Sequence, residues 1–271
     1  MKKLYAILLT AAVASPLALA CCSTEISKQV STINVAAEAN HAVGNVAHPE
    51  VKKSSATLKA VHAIETEFTK AQNAELQAPM SSDKFNSIVK QGVSSQALGL
   101  ALKAYEWADK KGELTNKRYL TIVDFSLPST SKRMNVIDLQ SGKIVFNELV
   151  TQGKGSGSGK MATNFSNVNN SHASVLGAIV TENTYYGKHG YSLRLNGLEE
   201  NLNSNVKGRA IVVHSANYAT ATFARTNGRL GTSWGCFALS PDVSKEVIEK
   251  IKGGSLIFSY APQIMNDANY A

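Results

Sequence analysis

A chain of 271 residues, 44% of them hydrophobic, carries enough apolar material for one sizeable core, and its formal charge of +8 makes it moderately basic. The Lys and Arg residues are dispersed, with no basic run interleaved with aromatics. This argues against a nucleic-acid surface and for an anionic polymer as partner. Two adjacent cysteines, Cys21 and Cys22, and a distant Cys236 exclude a disulfide framework.

Taken in chain order, Lys2 and Lys3 precede an apolar run over residues 4–19 that closes on Ala18-Leu19-Ala20. This predicts a secretory signal peptide at 1–20 and an exported protein, in the periplasm or cell envelope. The run is short for a membrane span, which needs about 20 apolar residues, and no later stretch comes close, so no transmembrane span is expected. Cleavage after Ala20 would leave Cys21 first, which adds a lipid anchor at Cys21 as an alternative to free release. Loss of the two leader lysines lowers the net charge to +6.

Residues 21–79 are rich in Ala, Ser, Thr, Asn and Lys and read as a polar spacer, partly helical where Leu58, Val61, Ile64 and Phe68 recur at helical spacing. The globular part is expected over 80–261. There Phe85, Ile88, Val89, Val93, Leu98, Leu102, Tyr105 and Trp107 predict two helices, the second stopping near Lys110-Lys111-Gly112. The period then changes to two. Strands are expected at 119–125, 134–139 and 144–150, the last two joined by the turn Gln140-Ser141-Gly142-Lys143. Further strands at 175–181, 191–195, 210–214 and 255–260, with one helix at 243–252, complete a mainly β, α+β domain followed by a tail at 262–271.

Two segments carry groups capable of chemistry. Arg209-Ala-Ile-Val-Val-His214 reads as a buried strand that delivers an imidazole where the chain leaves the interior. Gly231-Thr-Ser-Trp-Gly-Cys236 is a turn-rich segment that holds a thiol between small residues, just before a helix start near Pro241. A thiol of pKa about 8.5 is only slightly ionised at neutral pH and gains nucleophilicity from an adjacent imidazole, so Cys236 and His214 form a candidate pair. Gly235 leaves room for a carbonyl, backbone N–H groups from Trp234 to Cys236 are candidate oxyanion donors, and an oxygen of Ser215 is placed to fix the tautomer of His214. The competing reading makes His214 a strand cap and Cys236 a small core hydrophobe, and composition alone favours it; what reverses this is the resemblance carried by these same residues. Gly153-Lys-Gly-Ser-Gly-Ser-Gly-Lys160 is not a phosphate loop, because the motif needs Gly at 154 and Ser or Thr at 161, where Lys154 and Met161 stand. His172 and His189 lack metal-ligand spacing, so neither a metal nor a cofactor is expected.

The stretch from HSANY to GTSWGCFAL resembles the His to Ser-x-Gly-Cys signature of the murein L,D-transpeptidase (YkuD-like) family. The runs LTIVDFSLPSTSKRMNVIDLQSGKIVF, FSNVNNSHASVLGAIVTENTYYGKHGYSLRLNGLE and RAIVVH resemble it as well, so that the likeness covers about 93–260. It implies a β-sandwich-like catalytic domain with Cys236 as nucleophile, His214 as base, Ser215 as orienter, and Ser233, Trp234 and Gly235 shaping the site. It implies peptidoglycan stem peptides as donor and acceptor: the thiolate attacks the carbonyl of the third stem residue and expels D-Ala, and an amine of a second stem resolves the thioester. Tyr186, Lys188, His189, Arg194, Arg209, Tyr218 and Arg229 are candidates for flanking the groove, the cations pairing with diaminopimelate or D-Ala carboxylates. Ser215 stands where the family has Gly, Asn217 where it has Asp, Thr232 where it has Arg, Phe237 where it has Pro, and Gln152 where His is common, which bears on specificity. The rival readings are an L,D-carboxypeptidase or endopeptidase working through the same pair, and a non-catalytic wall-binding protein.

Overall fold

Residues 80–270 are described by a computed structural model, and the expected leader, Cys21 and the spacer with its helical spacing lie outside these described residues. The globular part opens with two helices, α1 (Ser82–Lys90) and α2 (Ser95–Lys110). The Ser94 side chain caps α2 by accepting from the Ala97 N–H at 3.3 Å. Its small and branched apolar residues, among them Leu98, Leu100, Ala101 and Ala104, are buried. The helix ends at Lys111, before Gly112 at φ 76°.

Ten strands follow in chain order: β1 (Tyr119–Asp124), β2 (Met134–Asp138), β3 (Lys143–Glu148), β4 (Gln152–Gly153), β5 (Gly177–Gly187), β6 (Gly190–Gly197), β7 (Val212–Ser215), β8 (Thr232–Ser233), β9 (Phe237–Leu239) and β10 (Leu256–Tyr260). Eight form one mixed sheet in the order β3-β2-β1-β10-β5-β6-β7-β9, while β4 and β8 pair separately in parallel. Within the large sheet β1 runs parallel to β10 and β7 parallel to β9, and the remaining pairings are antiparallel. Every residue of β1, β2 and β10 is buried, whereas the edge strand β3 alternates between exposed and half-buried positions. The mainly β architecture with flanking helices is therefore the one the sequence predicts.

Two more helices belong to this unit, α3 (Ala221–Asn227) and α4 (Pro241–Ile251). Thr220 caps α3, and Gly228 closes it in the left-handed region at φ 68°. Ser240 caps α4, Pro241 occupies its first turn, and Val247, Ile248 and Ile251 face the core. Helix α2 packs on β1, β5 and β10, and α4 on β7, β1 and β6. The segment at 262–270 continues onto this body: a 3-10 turn spans Pro262–Asn266, Ile264 is buried, and the Tyr270 ring packs on Phe258.

Some elements differ from their expected form. The β2–β3 turn forms where Gln140 to Lys143 predict it, with Asp138 Oδ1 accepting from the Gln140 and Ser141 N–H groups at 2.9 and 3.3 Å. Strand β5, however, runs six residues past Thr181, and its hairpin with β6 turns on Lys188 and His189 alone. That outer half, Glu-Asn-Thr-Tyr-Tyr-Gly, leaves the core and loses the apolar alternation from which strands are read. The pairing also shifts register between Thr181 and Thr184.

Candidate active site

Strand β7 places His214 with its side chain buried beside the half-buried backbone of Ser215. The His214 Nδ1–H donates to the Ser215 carbonyl oxygen at 2.8 Å, which fixes the tautomer and leaves the Nε2 lone pair free. Burial, the largest cause, holds the imidazole below its ordinary 6.5. The Ser215 bond opposes this, and the nearby His189 and Lys188 reinforce it. His189, at the tip of the β5–β6 hairpin, stacks on the His214 ring with centroids 4.3 Å apart and planes 24° from parallel. It too is depressed, first by burial and then by Lys188.

Parallel pairing of β7 with β9 sets His214 opposite Ala238, so Cys236, the residue immediately before β9, stands two residues ahead of the position opposite His214. The turn that delivers it depends on Gly235, whose φ of 109° lies in the region L side chains avoid and whose Cβ would run into the Ala173 carbonyl oxygen. Ser233 fastens this turn. Its hydroxyl donates to the Cys236 carbonyl at 2.7 Å and accepts from the Gly235 N–H at 3.2 Å. The Gly235 N–H is thereby taken. Cys236 is a free, half-buried thiol, with Sγ at 3.6 Å from the Ala210 carbonyl oxygen. Burial pushes it above its ordinary value, against the opposing pull of the Val212 N–H, Arg209 and Lys188.

A cavity of about 430 Å³ brings Cys236, His214, His189, Lys188, Arg209 and Tyr218 together, with Tyr185, Thr232, Ser233 and Trp234 on the same wall. Its two fully charged lining groups, Lys188 and Arg209, are both cations, and no Asp or Glu is among the residues that line it. Arg209 is fixed rather than mobile: its guanidinium donates to the Ser166 and Ala173 carbonyls at 2.5 Å each. Tyr218 accepts the Gly231 N–H on its carbonyl at 2.9 Å, and its phenol is raised by burial and by Cys236. Among the described residues no group of three or more His, Cys, Asp or Glu side chains is placed to hold a metal.

The other candidates flanking the groove stand elsewhere. Tyr186 is 80% exposed and packs on Tyr191, because alternation along β5 turns it away from the face that Tyr185 occupies. Arg194 lies over the Tyr185 ring at 4.1 Å, and Arg229 donates to the adjacent Leu230 carbonyl at 2.9 Å; neither lines the cavity. Reasoning from sequence also missed a support behind the Cys236 turn. Arg133 is wholly buried over the Phe125 ring and donates to the carbonyls of Val150 and Leu127 and to Gln152 Oε1 at 3.0 to 3.1 Å. Gln152 lies in β4, which pairs with β8 at Thr232 and Ser233. No feature of the Ser-Lys-Arg-Met run signals this, since arginine is almost never fully buried.

A family model described as the L,D-transpeptidase catalytic domain matches residues 89–260. Solved structures similar to this chain include an L,D-transpeptidase from Mycobacterium smegmatis, at 15% identity and a TM-score of 0.34, covering 53% of this chain and 59% of that one. Mycobacterium tuberculosis L,D-transpeptidase 1 is 14% identical, with a TM-score of 0.30 and coverage of 53% and 62%. An L,D-transpeptidase from Stackebrandtia nassauensis is 14% identical, with a TM-score of 0.34 and coverage of 66% and 89%. The chain thus spans 59% and 62% of the length of the two mycobacterial proteins. No curated protein matched.

Proposed function

From the premise that the chain belongs to the L,D-transpeptidase catalytic domain family, we propose that it crosslinks peptidoglycan stem peptides through a Cys236 acyl-enzyme. One observation carries this reading: an imidazole from β7 and a thiol from the turn that leads into the adjacent parallel strand β9 open into the same cationic cavity. With burial raising the thiol and lowering the imidazole, the resting pair is neutral, and the proton moves only as the bond forms.

Nε2 of His214 takes the Cys236 proton as Sγ attacks the carbonyl carbon of the third stem residue. The Cys236 N–H, the turn's donor next to the sulfur in the chain, is assigned to the developing oxyanion. Collapse breaks the amide, and the imidazolium returns its proton to the departing D-Ala amine, leaving a thioester. An amine of a second stem then attacks that thioester, His214 accepts the amine's proton, and the thiolate leaves and recovers it. Lys188 and Arg209 meet the carboxylates that flank the donor amide. The expected leader at 1–20 fits a substrate outside the cytoplasm.

The test is incubation with disaccharide tetrapeptides followed by mass analysis. Crosslinked dimers with release of D-Ala are expected, and both disappear in Cys236→Ala. Release of D-Ala or of tripeptides alone would assign hydrolysis to the same pair. A carbapenem should add its mass to the intact protein at Cys236. An unmodified protein whose Cys236→Ala form binds murein equally well would replace catalysis with wall binding.

A further inference from the structure

Beside the nucleophile stands an aromatic surface that the transfer of an acyl group does not use. Trp234 is 67% exposed although it lines the cavity. One face of its indole is covered by the His172 ring, at 4.4 Å between centroids and 13° from parallel, so its exposure is that of the opposite face and the rim. A large apolar ring held open to water in a single orientation is a preorganised contact, since the rotamer entropy is already spent before a ligand arrives.

The ring beneath it is fixed with equal care. His172 adopts φ 52°, a conformation L side chains rarely take. Its carbonyl accepts from the Gly155 N–H at 2.9 Å, the next carbonyl accepts from Arg209, and the Ser174 N–H donates to Ser156 Oγ at 2.8 Å. Gly155 lies so close to this segment that a Cβ there would strike the Ser171 carbonyl oxygen. The glycine-rich run after Gln152, which binds no phosphate by its motif, thus serves as the plate that clamps residues 171–174 and, through them, the backing of Trp234.

We propose that the open face of Trp234, backed by His172, is a subsite for a pyranose ring of the glycan to which the stem is attached, an inference that rests on the proposed function. A pyranose offers a flat face of C–H groups that stacks on an indole while its hydroxyls stay in water, which suits a platform this exposed. The reach agrees. The attacked carbonyl belongs to the third stem residue, and three extended residues span at most roughly 11 Å. Trp234 and Cys236 are two residues apart, so their Cα atoms are separated by at most about 7 Å, and Gly235 turns the two side chains to different uses.

Two donors separate the sugar from the peptide: the disaccharide tetrapeptide and the free tetrapeptide. The protein should favour the disaccharide form in kcat/KM by roughly two- to tenfold, the size of one stacking contact, with the difference residing in KM. Trp234→Ala should bring the ratio of the two donors close to one, Trp234→Phe should keep most of it, and His172→Ala should lower it partway. A ratio that Trp234→Ala leaves unchanged overturns the subsite and assigns the ring to the peptide or to packing. If neither donor is turned over, it is the acyl-transfer reading that fails. The subsite is then judged by saturation-transfer NMR with the peptide-free disaccharide, whose ring protons should receive signal from the protein and lose it in Trp234→Ala. Absence of transfer to the unaltered protein overturns it.

Discussion

Burial shifts both members of the proposed pair, and it does so in opposite directions. His214 is held below 6.5 and Cys236 is pushed above 9.0, so at neutral pH the pair rests as imidazole and thiol. A base with a lowered pKa stays deprotonated further into acid. The acid limb of kcat/KM should therefore have its midpoint below 6.5, falling as pH drops through the folded pKa of His214. An acid midpoint above 6.5 would contradict an imidazole held down by burial, and loss of activity on the alkaline side as an imidazolium deprotonates would instead reveal an ion pair formed in advance. His214→Ala should cost at least about 100-fold in kcat. Arg133→Ala leaves the buried Val150 carbonyl and Gln152 Oε1 without their donor and should destabilise the fold by about 3 kcal/mol in a urea melt. That Cys236 and His214 line one cavity is foreshadowed by the resemblance carried by their flanking segments, since a lone thiol and a strand-end imidazole carry no such signal by composition. The partnership of Trp234 with His172 is not legible in the sequence, because two aromatic residues 62 positions apart carry no local sign of being stacked.

Elements were readable in proportion to their apolar pattern. Strands β1, β2 and β10 read as short, largely apolar runs and helices α2 and α4 as helical periods, and all stand close to where the sequence predicts them. Strands β4, β8 and β9 have two or three residues each, too few for any period, yet these are the elements that aim the Cys236 turn. Polar residues in the outer half of β5 hid the hairpin that carries Lys188 and His189 over the site. The cap of α4 gives a local check. Removing the Ser240 hydroxyl, which accepts from the Asp242 N–H, should cost about 1 kcal/mol of stability while leaving the pH midpoint in place. A shift of that midpoint would mean that α4 tunes the base as well as supporting β7.

Charge acts at the scale of the whole molecule. A sequence with +8 overall presents a cavity lined by Lys188 and Arg209 without a carboxylate, a field that would draw in the proposed anionic donor from beyond contact distance. The Debye length is about 8 Å at physiological ionic strength, and KM for the donor should rise several-fold as salt increases toward 1 M while kcat holds. A KM indifferent to salt would count against recognition of carboxylates. The sheet itself has a further consequence. Strand β9 lies at its edge, three residues long and joined in that sheet to β7 alone, and the Cys236 turn precedes it directly. Until that long-range pairing closes, the two members of the proposed pair are not held beside one cavity. The proposed acyl transfer thus waits on a contact between segments distant in the chain, and a molecule in which β9 has not docked should not take up an acyl group.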